Sequence, residues 1–113
     1  MPRPCKRRRV CALPERLRFG PAGQSAGEPI RMGVDEFETI RLIDLEGLTQ
    51  EACAGQMQVS RATVQAIYGA ARRKLAQSLV EGRELLIGGG EFILCDRPHG
   101  GCRCGRCPRE RNT

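Results

Sequence analysis

Residues 48–74, LTQEACAGQMQVSRATVQAIYGAARRK, constrain the fold more than any other stretch. They predict two helices joined by a tight turn. Thr49 stands at the start of the first helix, where its hydroxyl can accept from the free amides of the first turn. Ser60 stands in the same place for the second. Met57, Gln58 and Val59 leave room for a turn of about three residues, a length that sets two helices roughly perpendicular. Cys53, Ala54 and Met57 fall on one face of the first helix, and Val59 fills the corner. Val64, Ile67 and Ala71 form the inner face of the second helix, which leaves Arg61, Ala62, Gln65, Tyr68 and Arg72 pointing outward. No acidic residue lies between Ser60 and Val80. A helix laid in a DNA major groove needs such a face, with donors for base edges and no carboxylate against phosphate. A plain packed helical hairpin would also carry small residues at its crossing. The two capping hydroxyls, the small Ala54 and the acid-free outer face favour DNA. One residue runs against the pattern: Gln58 stands where such turns often carry Gly or Asn to take a positive φ.

A chain of 113 residues allows one compact domain with tails. Aromatic content is 4% with no Trp, so the core is aliphatic. The same scarcity argues against a stacking platform for single-stranded RNA, which needs exposed aromatic rings. Net charge is +6, which favours a polyanionic partner. The charge is uneven. Arg3, Lys6, Arg7, Arg8, Arg9, Arg16 and Arg18 crowd the first twenty residues against Glu15 alone, whereas residues 33–51 carry Asp35, Glu36, Glu38, Asp44, Glu46 and Glu51 against Arg41 alone. Double-stranded DNA is therefore the expected partner. No apolar run approaches a membrane span, and no apolar segment follows the basic start as a secretory signal would require. The chain is expected in the cytoplasm, where its seven cysteines would be reduced and metal binding outranks disulfides.

A further helix is expected over residues 35–46, capped by Asp35, with Glu36 and Glu38 at its positive end and Gly47 as its stop. The helix after Ser60 is expected to run on through Leu75, Leu79 and Val80 on its apolar stripe until Gly82 ends it. Arg72, Arg73 and Lys74 on that helix suit backbone phosphates, or an ordinary solvated helix end. Residues 84–95 predict a β-hairpin, with Leu85, Leu86 and Ile87 on one strand and Phe92, Ile93 and Leu94 on the other. An isolated hairpin is marginal in water, so it must pack on the helices, pair with a short strand over residues 10–13, or pair with a second subunit in a homodimer. Residues 1–27 look irregular and the segment LRFGPAGQSAGEPI predicts a loop. In KRRRV, Arg7, Arg8 and Arg9 suit either an arm that neutralises phosphates or a solvated tail. The chain thus divides into a basic N-terminal arm (1–33), a helical DNA-binding unit (34–82), a hairpin (83–95) and a Cys-rich tail (96–113).

Cys95, His99, Cys102, Cys104 and Cys107 crowd the end of the chain. The Cys104-x-x-Cys107 spacing lets two thiolates reach one tetrahedral metal, and Cys102 and Cys95 can complete four ligands. His99 is a substitute ligand, and Cys5 and Cys11 offer a second pair. Zinc is the first choice, an iron–sulfur cluster the second, and an unstructured tail with free thiols the alternative to both. Cys53 differs, since its place on an inner helix face suits a buried structural cysteine.

The run VDEFETIRLIDLEGLTQEACAGQMQVSRATVQAIYGAARRKLAQSLVEGREL, with the opening MPRPCKRRRV and the segment FGPAG, resembles the prokaryotic domain of unknown function number 134 family. Its members are predicted DNA-binding proteins whose centre is similar to region 4 of sigma-70-type factors. The chain departs from that pattern at Gln58, where Gly is usual. The resemblance implies a helix-turn-helix with Arg61, Thr63 and Gln65 on the DNA-facing helix. The reading is a mainly α fold: a three-helix helix-turn-helix unit similar to sigma-70 region 4, with a short β-hairpin and irregular arms. Its expected role is sequence-specific binding of double-stranded DNA as a transcriptional regulator, with Ser60, Tyr68, Arg72 and Arg73 joining the DNA contacts. The rival role is a metal- or redox-linked adaptor that uses the helices as scaffold. Catalysis is not expected, because the chain has one His and no Gly-rich phosphate loop after a strand.

Overall fold

Short apolar triplets become strands in this chain, but their partners are not the ones that proximity in sequence suggests. The computed structural model describes residues 8–94. The sites expected at Cys5, Arg7, Cys95, His99, Cys102, Cys104 and Cys107 lie outside the described residues. In chain order the elements are β1 Arg8–Val10, β2 Arg18–Phe19, β3 Ile30–Met32, α1 Val34–Thr39, a π-helical run Ile40–Leu45, α2 Gln50–Met57, α3 Arg61–Glu81, β4 Leu85–Ile87 and β5 Phe92–Leu94.

The expected hairpin is replaced by two separate pairings. Strand β4 is the centre of a three-stranded sheet, antiparallel to β2 and parallel to β3. Strand β5 leaves it and pairs in parallel with β1, Arg8 opposite Phe92 and Val10 opposite Leu94. The physical reason lies in burial. Leu85 and Ile87 need a covered face, and the register Ile30↔Leu85 and Met32↔Ile87 puts four apolar side chains on one side of the sheet. A lone hairpin could not cover them. Glycines carry the chain from one sheet to the other. Gly90 has φ +93, a conformation that strains other residues, and a Cβ there would fall 2.5 Å from Asp35 Oδ1 and 3.3 Å from Gly33 Cα. Residues 8–33 of the expected N-terminal arm are therefore part of the fold, since their strands complete both sheets.

Helix α1 is capped at Gly33, not at Asp35. Glu36 reaches back so that its Oε1 accepts from the Gly33 amide at 2.8 Å, while Asp35 is buried inside the first turn. Burial raises the Asp35 carboxyl above its ordinary range. The expected single helix widens after Thr39, where the Glu46 amide donates to Arg41 O, five residues back, at 2.9 Å. Gly47, at φ +82, then ends it as the sequence implies.

Two apolar clusters lie along α3. Cys11, Leu42, Cys53, Ala54, Met57 and Val64 form one, and Ile30, Met32, Ala71, Leu85 and Ile87 form the other, with Phe37, Ile40 and Leu75 packed against it. Helix α3 thus spans both. Leu79 and Val80 do not extend its apolar stripe, for they are 83% and 84% exposed. The inner face passes instead through Ser78, whose hydroxyl donates to Arg83 O at 2.7 Å. Cys53 is fully buried with its thiol 3.7 Å from Met57 Sδ, and burial pushes that thiol up to about 12.

Glu38 is a demanding buried group, since it has no exposed surface. Its carboxylate accepts from the Cys11 amide at 2.8 Å and from Arg41 Nε and Nη2 at 2.8 and 2.9 Å. A buried charge is tolerated only with such partners. Replacing Glu38 by Ala should therefore cost about 3–5 kcal/mol, read as a lower urea midpoint, because the Cys11 amide loses its acceptor and the mostly buried Arg41 loses its two short hydrogen bonds, keeping the longer approach to Glu46. A loss under about 1 kcal/mol would mean that the N-terminal strand is held by other contacts.

Candidate nucleic-acid interface

The interface is built from local chemistry first. The Thr49 hydroxyl accepts from the Ala52 amide at 3.0 Å and the Ser60 hydroxyl from the Thr63 amide at 3.1 Å, so both expected caps form. Three residues, Gln58, Val59 and Ser60, connect α2 to α3. Gln58 takes φ 60 and ψ 44, the left-handed conformation that the turn demands, and is the one non-glycine residue with positive φ among those described. Val64 is fully buried at the crossing, in the cluster that holds Ala54 and Met57 of α2.

With Val64, Ile67 and Ala71 turned inward, α3 presents Arg61, Gln65, Tyr68 and Arg72 along one line, at spacings of four, three and four residues. Arg61, Gln65 and Arg72 are exposed and Tyr68 is half-buried. Beside this line, exposed Ala62, Ala66 and Gly69 keep the helix surface low, and a Cβ added at Gly69 would meet nothing within 4 Å. Arg73 is exposed next to them.

Other expected contacts are used differently. Thr63 is half-buried, and its hydroxyl lies 2.9 Å from that of the Ser60 cap. Lys74 donates to Glu36 at 2.6 Å, which draws it toward α1. Arg8 and Arg9 belong to β1 instead of to a flexible arm. Arg9 is 1% exposed, and its Nε donates to Gln56 O at 2.8 Å. That bond fastens β1 to the C-terminal end of α2, where a cation suits the helix dipole. Cys11, an alternative ligand in the sequence reading, is buried, and the Gln56 amide donates to its sulfur at 3.3 Å. Among the described residues no group of three or more His, Cys, Asp or Glu side chains could hold a metal ion.

One residue of this surface has no signal in the local sequence. Asp44, from the π-helical run, sits against the line on α3. The Tyr68 hydroxyl donates to Asp44 Oδ1 at 2.6 Å, and Arg72 Nε lies 4.0 Å from Asp44 Oδ2. Arg72 also stacks over the Tyr68 ring, 5.4 Å from its centroid. The hydrogen bond to Asp44 holds the Tyr68 phenol above its ordinary range. The outer face is acid-free along its own helix, yet a carboxylate from another element reaches it.

Residues 1–95 match the family model described as Protein of unknown function DUF134. A UPF0251 protein of Desulfitobacterium hafniense (strain DSM 10664 / DCB-2) is 58% identical over 113 residues, covering 98% of this chain and 90% of the relative. A UPF0251 protein of Halothermothrix orenii is 47% identical over 108 residues, covering 93% and 79%. One from Chlorobaculum tepidum is 45% identical over 109 residues, covering 93% of this chain and 55% of that longer protein. No solved structure matches the chain.

The turn makes a direct prediction. Gln58→Gly should raise stability by about 1 kcal/mol, since glycine removes the left-handed penalty that the Gln58 backbone bears. Chemical denaturation reads the gain. A loss would show that contacts of the Gln58 side chain outweigh the backbone term.

Proposed function

The chain belongs to the DUF134 family, and on that footing we propose that it binds double-stranded DNA through a helix-turn-helix formed by α2 and α3 and acts as a transcriptional regulator. The observation that carries this reading is the line Arg61, Gln65, Tyr68 and Arg72 on a capped helix that follows a three-residue turn. A major groove admits one α-helix, whose N-terminal residues meet base edges. Arg61 and Gln65 stand in the first turns of α3, one turn apart. Arg61 has the fork that pairs with guanine and Gln65 the amide that pairs with adenine. The low surface at Ala62, Ala66 and Gly69 favours close approach by a duplex. Arg72 and Arg73 lie further along and suit phosphates, which fix register.

Zinc on the thiolates of Cys95, Cys102, Cys104 and Cys107 is a separate proposal. It is supported by the ligand spacing, and by Cys95 following β5 directly, which would tether an ion to the β1–β5 sheet. Metal analysis of protein purified under reducing conditions should find about one zinc per chain, lost in a Cys104→Ser, Cys107→Ser double variant. Protein purified with no zinc or iron would remove this proposal and leave the DNA reading intact.

Binding to a selected duplex tests the main reading. Arg61→Ala and Gln65→Ala should each cost about 1–3 kcal/mol and relax preference at one base pair. Full affinity with unchanged preference in both variants would exclude α3 as the reading helix.

A further inference from the structure

Resting on that DNA-binding reading, we propose that Tyr68 and Arg72 form a seat for one backbone phosphate, which the Asp44 carboxylate occupies until DNA displaces it. Three observations meet at this point. The Tyr68 hydroxyl donates to Asp44 Oδ1 at 2.6 Å, Arg72 Nε approaches Oδ2 at 4.0 Å, and the Arg72 guanidinium lies over the Tyr68 ring. A hydroxyl and a guanidinium that converge on one anionic oxygen pair are the donors that protein–DNA interfaces present to phosphate. The carboxylate of Asp44 has the same charge sign and a comparable spread of acceptor oxygens, so it stands in for that group. The seat lies on the line that begins with Arg61 and Gln65, two to three turns further along α3. A helix that enters a groove by its N-terminal end brings its later turns beside the sugar–phosphate backbone.

The Asp44 pair is easy to open. Side-chain exposure is 38% for Asp44 and 64% for Arg72, so water screens the attraction. A backbone phosphodiester offers the same single charge on two non-bridging oxygens, so it can take over both donors. Until it does, Asp44 cancels the attraction of Arg72 for any duplex and keeps both side chains in place. The expected consequence is weaker sequence-independent binding, the component that rests on phosphate contacts alone.

The test uses the full chain and a random-sequence duplex, with anisotropy titrations across a range of salt. Asp44→Asn keeps the size and removes the charge. It should bind about threefold or more tightly at low salt. The gain should vanish in an Asp44→Asn, Arg72→Ala variant when compared with Arg72→Ala alone. An Asp44→Asn protein that binds no tighter than wild type, or a gain that persists undiminished without Arg72, overturns the seat while wild-type binding still supports the DNA reading. No binding by wild type to any duplex defeats both. A readout free of DNA guards against a misfolded variant. Tyr68 is the single tyrosine and the chain has no Trp, so phenolate absorbance reports on it alone. Its titration should move down toward the ordinary tyrosine range in Asp44→Asn, and an unmoved titration also overturns the proposal.

Discussion

A buried carboxylate sets the terms for the rest of this molecule. Glu38 has no water to solvate it, so it must be met by donors from inside the chain. They come from two directions: the Cys11 amide just past β1, and the Arg41 guanidinium on the turn that follows α1. Satisfying Glu38 therefore fixes the N-terminal segment on the helices. Arg41 also approaches Glu46 at 3.7 Å, so the same network reaches the end of the π-helical run. That run has Asp44 within it, and its widened turn shifts the side chains of the last residues relative to a straight α-helix. The position of Asp44 against α3 is thus linked to a carboxylate buried six residues earlier.

Helix α3 makes the two clusters one structure. Val64 packs with α2 and Ala71 packs over the three-stranded sheet, so the helix is held at both its first and its middle turns. A surface presented by such a helix keeps its side chains at fixed spacing, which recognition of base edges requires. The last turn is held less, with Leu79 and Val80 outside the core.

The basic composition is spent unevenly. Arg9 serves the end of α2, Arg18 pairs with Glu84 at 3.0 Å, and Lys74 pairs with Glu36. Net charge alone would count all three toward a polyanion. Their geometry gives them to the fold, and concentrates the exposed cations of α3 in Arg61, Arg72 and Arg73.

What the sequence determined by itself was local. Thr49 and Ser60 as caps, Gly47 and Gly82 as stops, the left-handed turn at Gln58 and the inner line of Val64, Ile67 and Ala71 all depend on hydrogen bonds and dihedral angles within a few residues, and all appear where the pattern puts them. The line Arg61, Gln65, Tyr68 and Arg72 follows from the same periodicity. Only the tertiary structure decided the rest. Leu85–Ile87 and Phe92–Leu94 were legible as strands, and a strand at Val10 as one candidate partner, but not the pairing itself, because it is chosen by which arrangement buries both faces. Arg9 carries the same charge pattern in a free arm and in a strand, and becomes a structural bond only when Gln56, 47 residues away, comes within 2.8 Å. Asp44 belongs to an acidic stretch that the charge tally sets apart from DNA, yet packing lays it against Tyr68, 24 residues on. Periodicity reports which side of its own element a residue faces, and contacts of that range are made by the packing of one element on another.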